Sequence, residues 1–145
     1  MYKKEIQRLS SSADDIVIEA QKYEVLFSNF FSKINEEKLP SELRNKFAVY
    51  REILKHAVAI SELIEKSRAD ILVEGTLVQK INGHYAVQGV EVRKGTYIEF
   101  WVDELQNNLG GYFQPSIIDY DQSGYFMLSP EGKRLSLDGQ LVRVK

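Results

Sequence analysis

The side chains that could carry metal chemistry in this chain are two histidines, His56 and His84. No His-x-x-x-His or Glu-x-x-His pair offers the helical spacing of a metal site, and cysteine is absent. Each histidine is therefore interpreted as a solvated surface residue. We predict no metal ligand and no cofactor.

Carboxylates are the other candidates for chemistry. They form two groups that are close in sequence: Glu91, Glu99, Asp103 and Glu104, and then Asp119 and Asp121 on either side of Tyr120. Paired carboxylates perform acid–base catalysis when burial raises the pKa of one of them. The sequence offers no partner base, and Gly110-Gly111 lacks the lysine and the flanking helix of a phosphate-binding loop. We predict turn and edge-strand roles for these residues, no catalytic residue and no enzyme.

A heptad pattern dominates the first part of the chain. Its members follow one another at alternating steps of three and four: Ile6, Leu9, Ala13, Ile16, Ala20, Tyr23, Phe27, Phe30 and Ile34. This spacing predicts a long helix that packs against another helix. The helix begins either near Tyr2, as the early members of the pattern favour, or at Ser12, where Ser12-x-x-Asp15 could form a capping box.

A second pattern of the same kind follows. Its members are Leu43, Phe47, Tyr50, Leu54, Ala57, Ser61 and Ile64. The connection through residues 35–39 is short, and Pro40 suits the first turn of the second helix. A connection this short predicts antiparallel helices.

Apolar residues also lie beside the two seams. They are Val17, Ile18, Leu26, Phe31, Ile53 and Ile60. An apolar stripe of this width exceeds what two helices can cover between them. We expect the β domain, a second subunit or a partner protein to cover the remainder.

After residue 70 the apolar period changes to two and glycine becomes frequent, which is typical of strands and turns. The predicted strands are 71–79, 84–88, 96–102, 111–114, 116–120, 124–128 and 141–144, with a loop at 104–110. Turns are predicted at Asn82-Gly83, at residues 121–124 and at Asp138-Gly139. The predicted fold class is α+β, with an N-terminal antiparallel, coiled-coil-like helical hairpin (1–69) before a small antiparallel β-barrel or bent sheet (70–145).

Nine aromatic residues lie in the β half, more than one small core holds easily. The neighbours in Phe100-Trp101, Tyr112-Phe113 and Tyr125-Phe126 point to opposite faces of their strands. Outward members could bind protein or stack on single-stranded nucleic acid, or they could pack under the hairpin. Basic residues among the aromatics would favour nucleic acid, and on another face would favour protein: Arg93, Lys94, Lys133, Arg134, Arg143 and Lys145.

Charge is balanced along the 145 residues. Residues 1–70 hold 12 Lys and Arg against 12 Asp and Glu, and residues 71–145 hold 7 against 9. A duplex-binding module normally carries an excess of basic residues, so the balance disfavours nucleic acid. Neither a signal peptide nor an apolar run long enough for a membrane span is recognisable, and we expect a cytoplasmic protein without a membrane partner.

Several β-half motifs resemble one family. Gly75-Thr76-Leu77, Asn82-Gly83-His84-Tyr85, Gly95-Thr96-Tyr97-Ile98-Glu99-Phe100 and a closing Leu-x-Gly-x-x-Val-Arg-Val over residues 137–144 look like a small uncharacterised β domain of Firmicutes and their integrative elements. The resemblance covers residues 75–144. It implies a host range and a mobile-element origin, and it carries over no functional residue.

These observations favour a non-enzymatic protein-binding protein, an accessory or inhibitor protein of a mobile element or phage, that could form a homodimer through the hairpin. The alternative is a single-stranded nucleic-acid-binding small β-barrel protein. The candidate partner-binding residues are Phe100, Trp101, Tyr112 and Tyr125 in the β half and Phe31, Ile53 and Ile60 in the hairpin.

Overall fold

A computed structural model describes residues 1–103 and 110–145. The chain divides into two compact units, Met1–Arg68 and Ala69–Lys145. The first unit is a helical hairpin and the second consists of antiparallel sheets, so the predicted α+β class with a hairpin before bent sheets is confirmed. Across residues 70–103 and 110–145 the sheets do not close into a barrel.

The hairpin consists of α1 (Lys3–Phe31), a short 3₁₀ turn (Glu36–Lys38) and α2 (Ser41–Arg68). Helix α1 begins at the earlier of its two predicted starts. The carbonyl oxygen of Pro40 accepts a 3.0 Å hydrogen bond from the Arg44 backbone N–H, so Pro40 lies just before the first turn of α2. In the connection, the Asn35 side chain accepts a hydrogen bond from the Glu37 backbone N–H.

Contacts along the hairpin show that the helices are antiparallel. Near the connection the rings of Phe27 and Phe47 stack with centroids 5.3 Å apart. At the far end Arg68 of α2 forms an ion pair with Asp14 and donates a 3.0 Å hydrogen bond to the Ser10 carbonyl.

The predicted α1 seam extends beyond its partner helix. Ile6 and Leu9 are helical but strongly exposed. Helix α2 ends at Arg68, opposite Ser10 and Asp14, so it offers no turn for the two earlier residues to pack against. The pattern predicted the helix correctly but not the extent of its contact.

The described residues of the second unit form ten strands. Their bounds are β1 (Val73–Thr76), β2 (Val78–Gln79), β3 (Tyr85–Val87), β4 (Val90–Val92), β5 (Tyr97–Val102), β6 (Tyr112–Ile117), β7 (Asp119–Asp121), β8 (Gly124–Leu128), β9 (Arg134–Ser136) and β10 (Leu141–Val144). They form three antiparallel sheets in the orders β1-β10-β5-β6, β2-β3-β4 and β7-β8-β9.

Two features of the sheets differ from the predicted strands. Strand β6 runs through Pro115, because β6 is an edge strand in which the missing N–H of proline breaks no ladder hydrogen bond. Strand β4 follows β3 across the two-residue turn Gln88-Gly89, where both residues have positive φ, as a type I′ turn requires. Strands β4 and β9 were not predicted, and the predicted loop at 104–110 falls mostly on 104–109, outside the described residues.

One apolar core lies among the three sheets. Its members are Leu77, Val87, Val92, Ile98, Phe100, Ile118, Met127, Leu137, Val142 and Val144. Leu77 is buried where the chain passes from β1 in one sheet to β2 in another, which explains why the predicted strand 71–79 is divided. No helix within residues 1–103 and 110–145 is long and apolar enough to cross a membrane.

The core predicts a large difference between two leucines. Leu137→Ala removes a fully buried side chain, and we expect it to lower the free energy of unfolding of the β unit by about 2–5 kcal/mol. Leu128→Ala, at a half-exposed position, serves as the matched control and should cost less than about 1 kcal/mol. Urea unfolding followed by circular dichroism measures both. Equal costs would contradict the assigned core.

Candidate functional site

The hairpin carries an apolar face made of seven side chains. Ile16, Tyr23 and Phe30 recur every seven residues on α1, which places them on one side of that helix. Tyr50, Ile53 and Ile60 continue the same side on α2, because Ile53 lies three positions after Tyr50 and Ile60 seven further. We call the set the apolar face: Ile16, Tyr23, Leu26, Phe30, Tyr50, Ile53 and Ile60.

A cavity of about 330 Å³ shows that the two helices contribute to one surface. It is lined by Tyr23, Leu26, Phe27, Phe30, Phe47 and Tyr50. The Tyr23 hydroxyl donates a 2.9 Å hydrogen bond to the Tyr50 carbonyl and so leaves only ring surface towards the cavity. Leu26 is 69% exposed and Phe30 57% exposed at its rim. The cavity is wholly apolar in character.

The three hairpin residues predicted to bind a partner are all exposed. Ile53 is 44% and Ile60 45% exposed, and both belong to the apolar face. Phe31 is half-exposed, but its ring stacks on Phe27 and Phe47 outside the cavity. Phe31 therefore closes the connection end of the hairpin.

The two β5 residues that were predicted to bind a partner, Phe100 and Trp101, point to opposite faces of the sheet, as neighbours on a strand must. Phe100 is 2% exposed and belongs to the core, so it is not a surface residue. Trp101 points to the other face, where its indole N–H donates a 2.8 Å hydrogen bond to Asp103. Its ring packs edge-on against Phe113 and over the backbone of Gly111, where a Cβ would lie 2.3 Å from the indole. Gly111 is therefore needed for this close approach.

The other two predicted β residues lie in different environments. Tyr112 is exposed on edge strand β6. Tyr125 is half-buried, and its ring lies 4.7 Å from that of Tyr120 and 6.4 Å from that of Tyr85. The structure does not bring Tyr112 and Tyr125 into one site.

Three tyrosines line a cavity of about 510 Å³ in the β unit, here called the tyrosine groove. Tyr85 comes from the β2-β3-β4 sheet, and Tyr120 and Tyr125 come from the β7-β8-β9 sheet. Polar groups share the lining, notably Gln79, Ser123, Arg134 and Ser136. Sequence reasoning missed this groove, because its walls come from strands that are distant in the sequence.

Arg134 is fixed at the edge of the groove. Its guanidinium forms two hydrogen bonds with the Asp121 carboxylate and lies 3.8 Å from the centroid of the Phe126 ring. Arg134 lowers the pKa of Asp121 to about 2, and the Ser123 backbone N–H adds a further hydrogen bond. The cation is thereby neutralised where it lines the groove.

His84 has closer partners than a solvated histidine would have. Its Nδ1 lies 3.1 Å from Glu91 and 3.4 Å from the Tyr125 hydroxyl. Glu91 also forms ion pairs with Lys80 and Arg93, at 3.6 and 3.5 Å. His84 therefore contacts both Tyr125 of the tyrosine groove and the charged cluster around Glu91. His56 is exposed on α2, as predicted for a surface histidine.

A buried polar cluster lies on β5. The Tyr97 hydroxyl donates a 2.9 Å hydrogen bond to Glu99, and the Lys145 ammonium lies 3.1 Å from the same carboxylate oxygen. Burial, followed by the bond to Glu99 and its charge, raises the pKa of Tyr97 above its usual range. Glu99 is thus occupied by two partners.

Basic residues lie among the aromatics, the arrangement that was to favour nucleic acid. Arg143 stacks 3.7 Å from the Phe113 centroid, as Arg134 does on Phe126. Among the described residues, however, six of the seven cations of the β unit are paired with carboxylates: Lys80, Arg93, Lys94, Arg134, Arg143 and Lys145. The aromatic surface is therefore close to electrically neutral.

Comparison with protein-family models, with curated proteins and with solved structures finds no match to this chain.

The Asp121–Arg134 pair predicts a pH-dependent difference in stability. Because the pKa of Asp121 is lowered from 3.8 to about 2, the pair stabilises the fold above pH 3.8, and its contribution is lost as the pH falls towards 2. We expect Asp121→Asn to lower the urea midpoint at neutral pH and to match the wild type near pH 2.

Asp138→Asn is the matched control, since Asp138 is exposed and forms no ion pair with any described residue. The difference in urea midpoint between Asp138→Asn and the wild type should not change as the pH is lowered. A gap for Asp121→Asn that persists unchanged near pH 2 would contradict the assigned pair.

Proposed function

We propose that the protein is a non-enzymatic protein-binding protein. We propose further that the apolar face of its hairpin binds the same face of a second copy of the chain, so that the protein forms a homodimer. One observation carries the proposal. Sixteen large apolar side chains of the hairpin are exposed, whereas only Ala20 and Phe47 are buried. Six of the sixteen belong to the apolar face, and exposed apolar side chains gathered on one side of a hairpin mark an interaction site.

The size of the face suits a dimer. Six exposed side chains and the partly buried Tyr23 present on the order of 600 Å² per copy, so two copies bury about 1,200 Å² in total. That value lies at the lower limit of specific, stable protein interfaces. Contacts between flanking side chains would add to it.

The spacing and charge of the hairpin favour a second copy as the occupant. Five of the seven residues on the face recur every seven positions, the period at which helices pack side by side in a four-helix bundle: Ile16, Tyr23 and Phe30 on α1, and Ile53 and Ile60 on α2. In a dimer with twofold symmetry the apolar face of one copy packs against the same face of the other copy. Twofold symmetry is the commonest symmetry of soluble oligomers. None of the seven residues on the face is charged, and residues 1–70 carry equal numbers of basic and acidic side chains, so two copies do not repel each other.

The environments of the carboxylates support a non-enzymatic role. Glu99 is held by Tyr97 and Lys145, and Asp121 by Arg134. A general acid or base needs a group free to exchange its proton with a substrate. These carboxylates instead act as structural partners.

The β unit would then recognise the target protein. The resemblance of residues 75–144 to a small β domain of Firmicutes integrative elements supports an accessory or inhibitor protein of a mobile element or phage. In this role the hairpin assembles the protein and the β unit contacts the target.

The dimer predicts opposite results for two isoleucines of α1 and α2. Ile53→Glu places a carboxylate in the interface, and we expect the dimer dissociation constant to rise about a hundredfold or more, because an unpaired buried charge costs several kcal/mol. Ile18 is equally exposed but lies two positions after Ile16, about 200° further around the helix. Ile18→Glu should leave the mass unchanged.

Light scattering of the full chain over a range of concentrations measures both variants. A wild-type protein that remains monomeric at every concentration would refute the second copy as occupant. Equal dissociation by the two variants would show that the face is wrongly placed.

Single-stranded nucleic-acid binding by the β unit is the second candidate function. It is favoured by the stacking of Arg134 on Phe126 and of Arg143 on Phe113, since arginines and aromatic rings together bind single strands. It is disfavoured by the carboxylates, Asp121 and Glu74, that neutralise both arginines. Protein binding therefore has the stronger support.

Salt separates the two candidates. If nucleic acid is the ligand, we expect the affinity for a labelled decathymidylate to fall steeply between about 50 and 200 mM salt, and Arg143→Gln to reduce the slope by about one. Fluorescence anisotropy measures both, and Lys55→Gln on the hairpin is the control. Binding that is absent or insensitive to salt would exclude this candidate.

A further inference from the structure

We propose that the tyrosine groove binds a proline-rich segment of another protein in the polyproline II conformation. This site lies in the β unit and does not depend on association through the hairpin. Its lining residues, their hydrogen bonds and their charge together select this class of ligand over the alternatives.

The aromatic walls provide the first requirement. Tyr120 is 52% exposed, and its ring lies 4.7 Å from that of Tyr125 at an interplanar angle of 57°. Tyr85 meets Tyr125 edge-on, at 81°. The three rings contact one another and form a continuous aromatic surface on which the apolar rings of a proline helix can pack, and aromatic-lined grooves are the known receptors of such helices.

The hydrogen-bonding groups provide the second requirement. The hydroxyls of Tyr85 and Tyr120 make no hydrogen bond within the part of the chain that the structure describes, and the Ser123 hydroxyl makes none either. Each can therefore donate to a ligand. A proline-rich segment has carbonyl acceptors but few N–H donors, and it remains fully solvated until it binds.

Charge provides the third requirement. Among the described residues that line the groove, Arg134 alone is charged, and Asp121 accepts two hydrogen bonds from it. A phosphate ligand would need a cation that is not already engaged, and a cationic ligand would need a free carboxylate in the lining. The groove thus favours an uncharged segment that is rich in acceptors.

Volume agrees with a short segment. The groove measures about 510 Å³ and is not fully enclosed. Binding sites for small ligands range from about 300 to 1,000 Å³. A few residues of an extended chain would occupy the groove, and the rest of the chain could extend beyond it.

Two-dimensional amide NMR of the ¹⁵N-labelled full chain tests the proposal, with decaproline and a set of Pro-x-x-Pro decamers as probes and a Gly-Ser decamer as the control peptide. We expect the resonances of Tyr120, Gly124, Tyr125 and Ser136 to shift in a saturable manner with at least one proline-rich probe. The Gly-Ser decamer should shift none of them.

Tyr120→Ala should weaken the binding about tenfold or more, because it removes one aromatic wall. Tyr120→Phe keeps the ring and should weaken it by less, and it also serves if the alanine variant is unstable. Tyr112→Ala is the matched control, since Tyr112 is exposed in the same unit but lies outside the groove. It should bind as the wild type does.

Three results would overturn the proposal. One is the absence of saturable shifts with every proline-rich probe at millimolar concentration. Another is equal weakening by Tyr112→Ala and Tyr120→Ala, which would place the binding elsewhere. The third is stronger perturbation of the groove by decathymidylate or by a neutral hexasaccharide, which would assign the groove to a nucleic acid or a sugar.

Discussion

Two antiparallel helices share a single line of contact, and this geometry cannot cover the apolar surface that the hairpin carries. The seam buries Ala20 and Phe47 and partly covers their neighbours, while sixteen large apolar side chains remain exposed. The β unit shows the opposite balance, with twelve of the fourteen buried apolar residues among those described. The helices therefore leave far more apolar surface for a partner than the sheets do. In the proposed dimer a second pair of helices covers this surface, because part of it recurs with a heptad period.

Electrostatics explains why the β unit is better suited to uncharged ligands. Arg134 and Arg143 lie on aromatic rings, as in many nucleic-acid-binding surfaces, but a carboxylate in the same sheet pairs with each of them. Exposed ion pairs contribute little to stability, yet they remove the unpaired positive charge on which phosphate binding depends. Stacking on rings and donation from hydroxyls remain available in the tyrosine groove. The two proposals, assembly by the hairpin and recognition by the groove, thus concern separate surfaces.

The sequence predicts an element of the fold well where its apolar residues repeat regularly over many positions. The heptads predicted both helices, and the short connection predicted their antiparallel packing, but neither predicted that α2 ends before it reaches Ile6. Strands β4 and β9 are not predicted, because three residues are too few to show an alternation of apolar and polar side chains. The sequence predicts a break at Pro115, but an edge strand tolerates proline. Alternation predicted that Phe100 and Trp101 face opposite ways, but the inward one depends on how the sheets pack. The apolar face was partly predicted, through Ile53 and Ile60. The tyrosine groove was not, because its walls meet only in the folded unit.

Hydrogen exchange at two protein concentrations tests most directly whether a second copy covers the hairpin. The full chain would be compared at concentrations about tenfold above and tenfold below its dimer dissociation constant. We predict that the amides of α1 and α2 lose protection at the lower concentration while those of β5 and β10 do not change, because only the helices depend on the second copy. Protection of α1 and α2 that is the same at both concentrations would contradict the account, since the hairpin would then be stable without a partner copy.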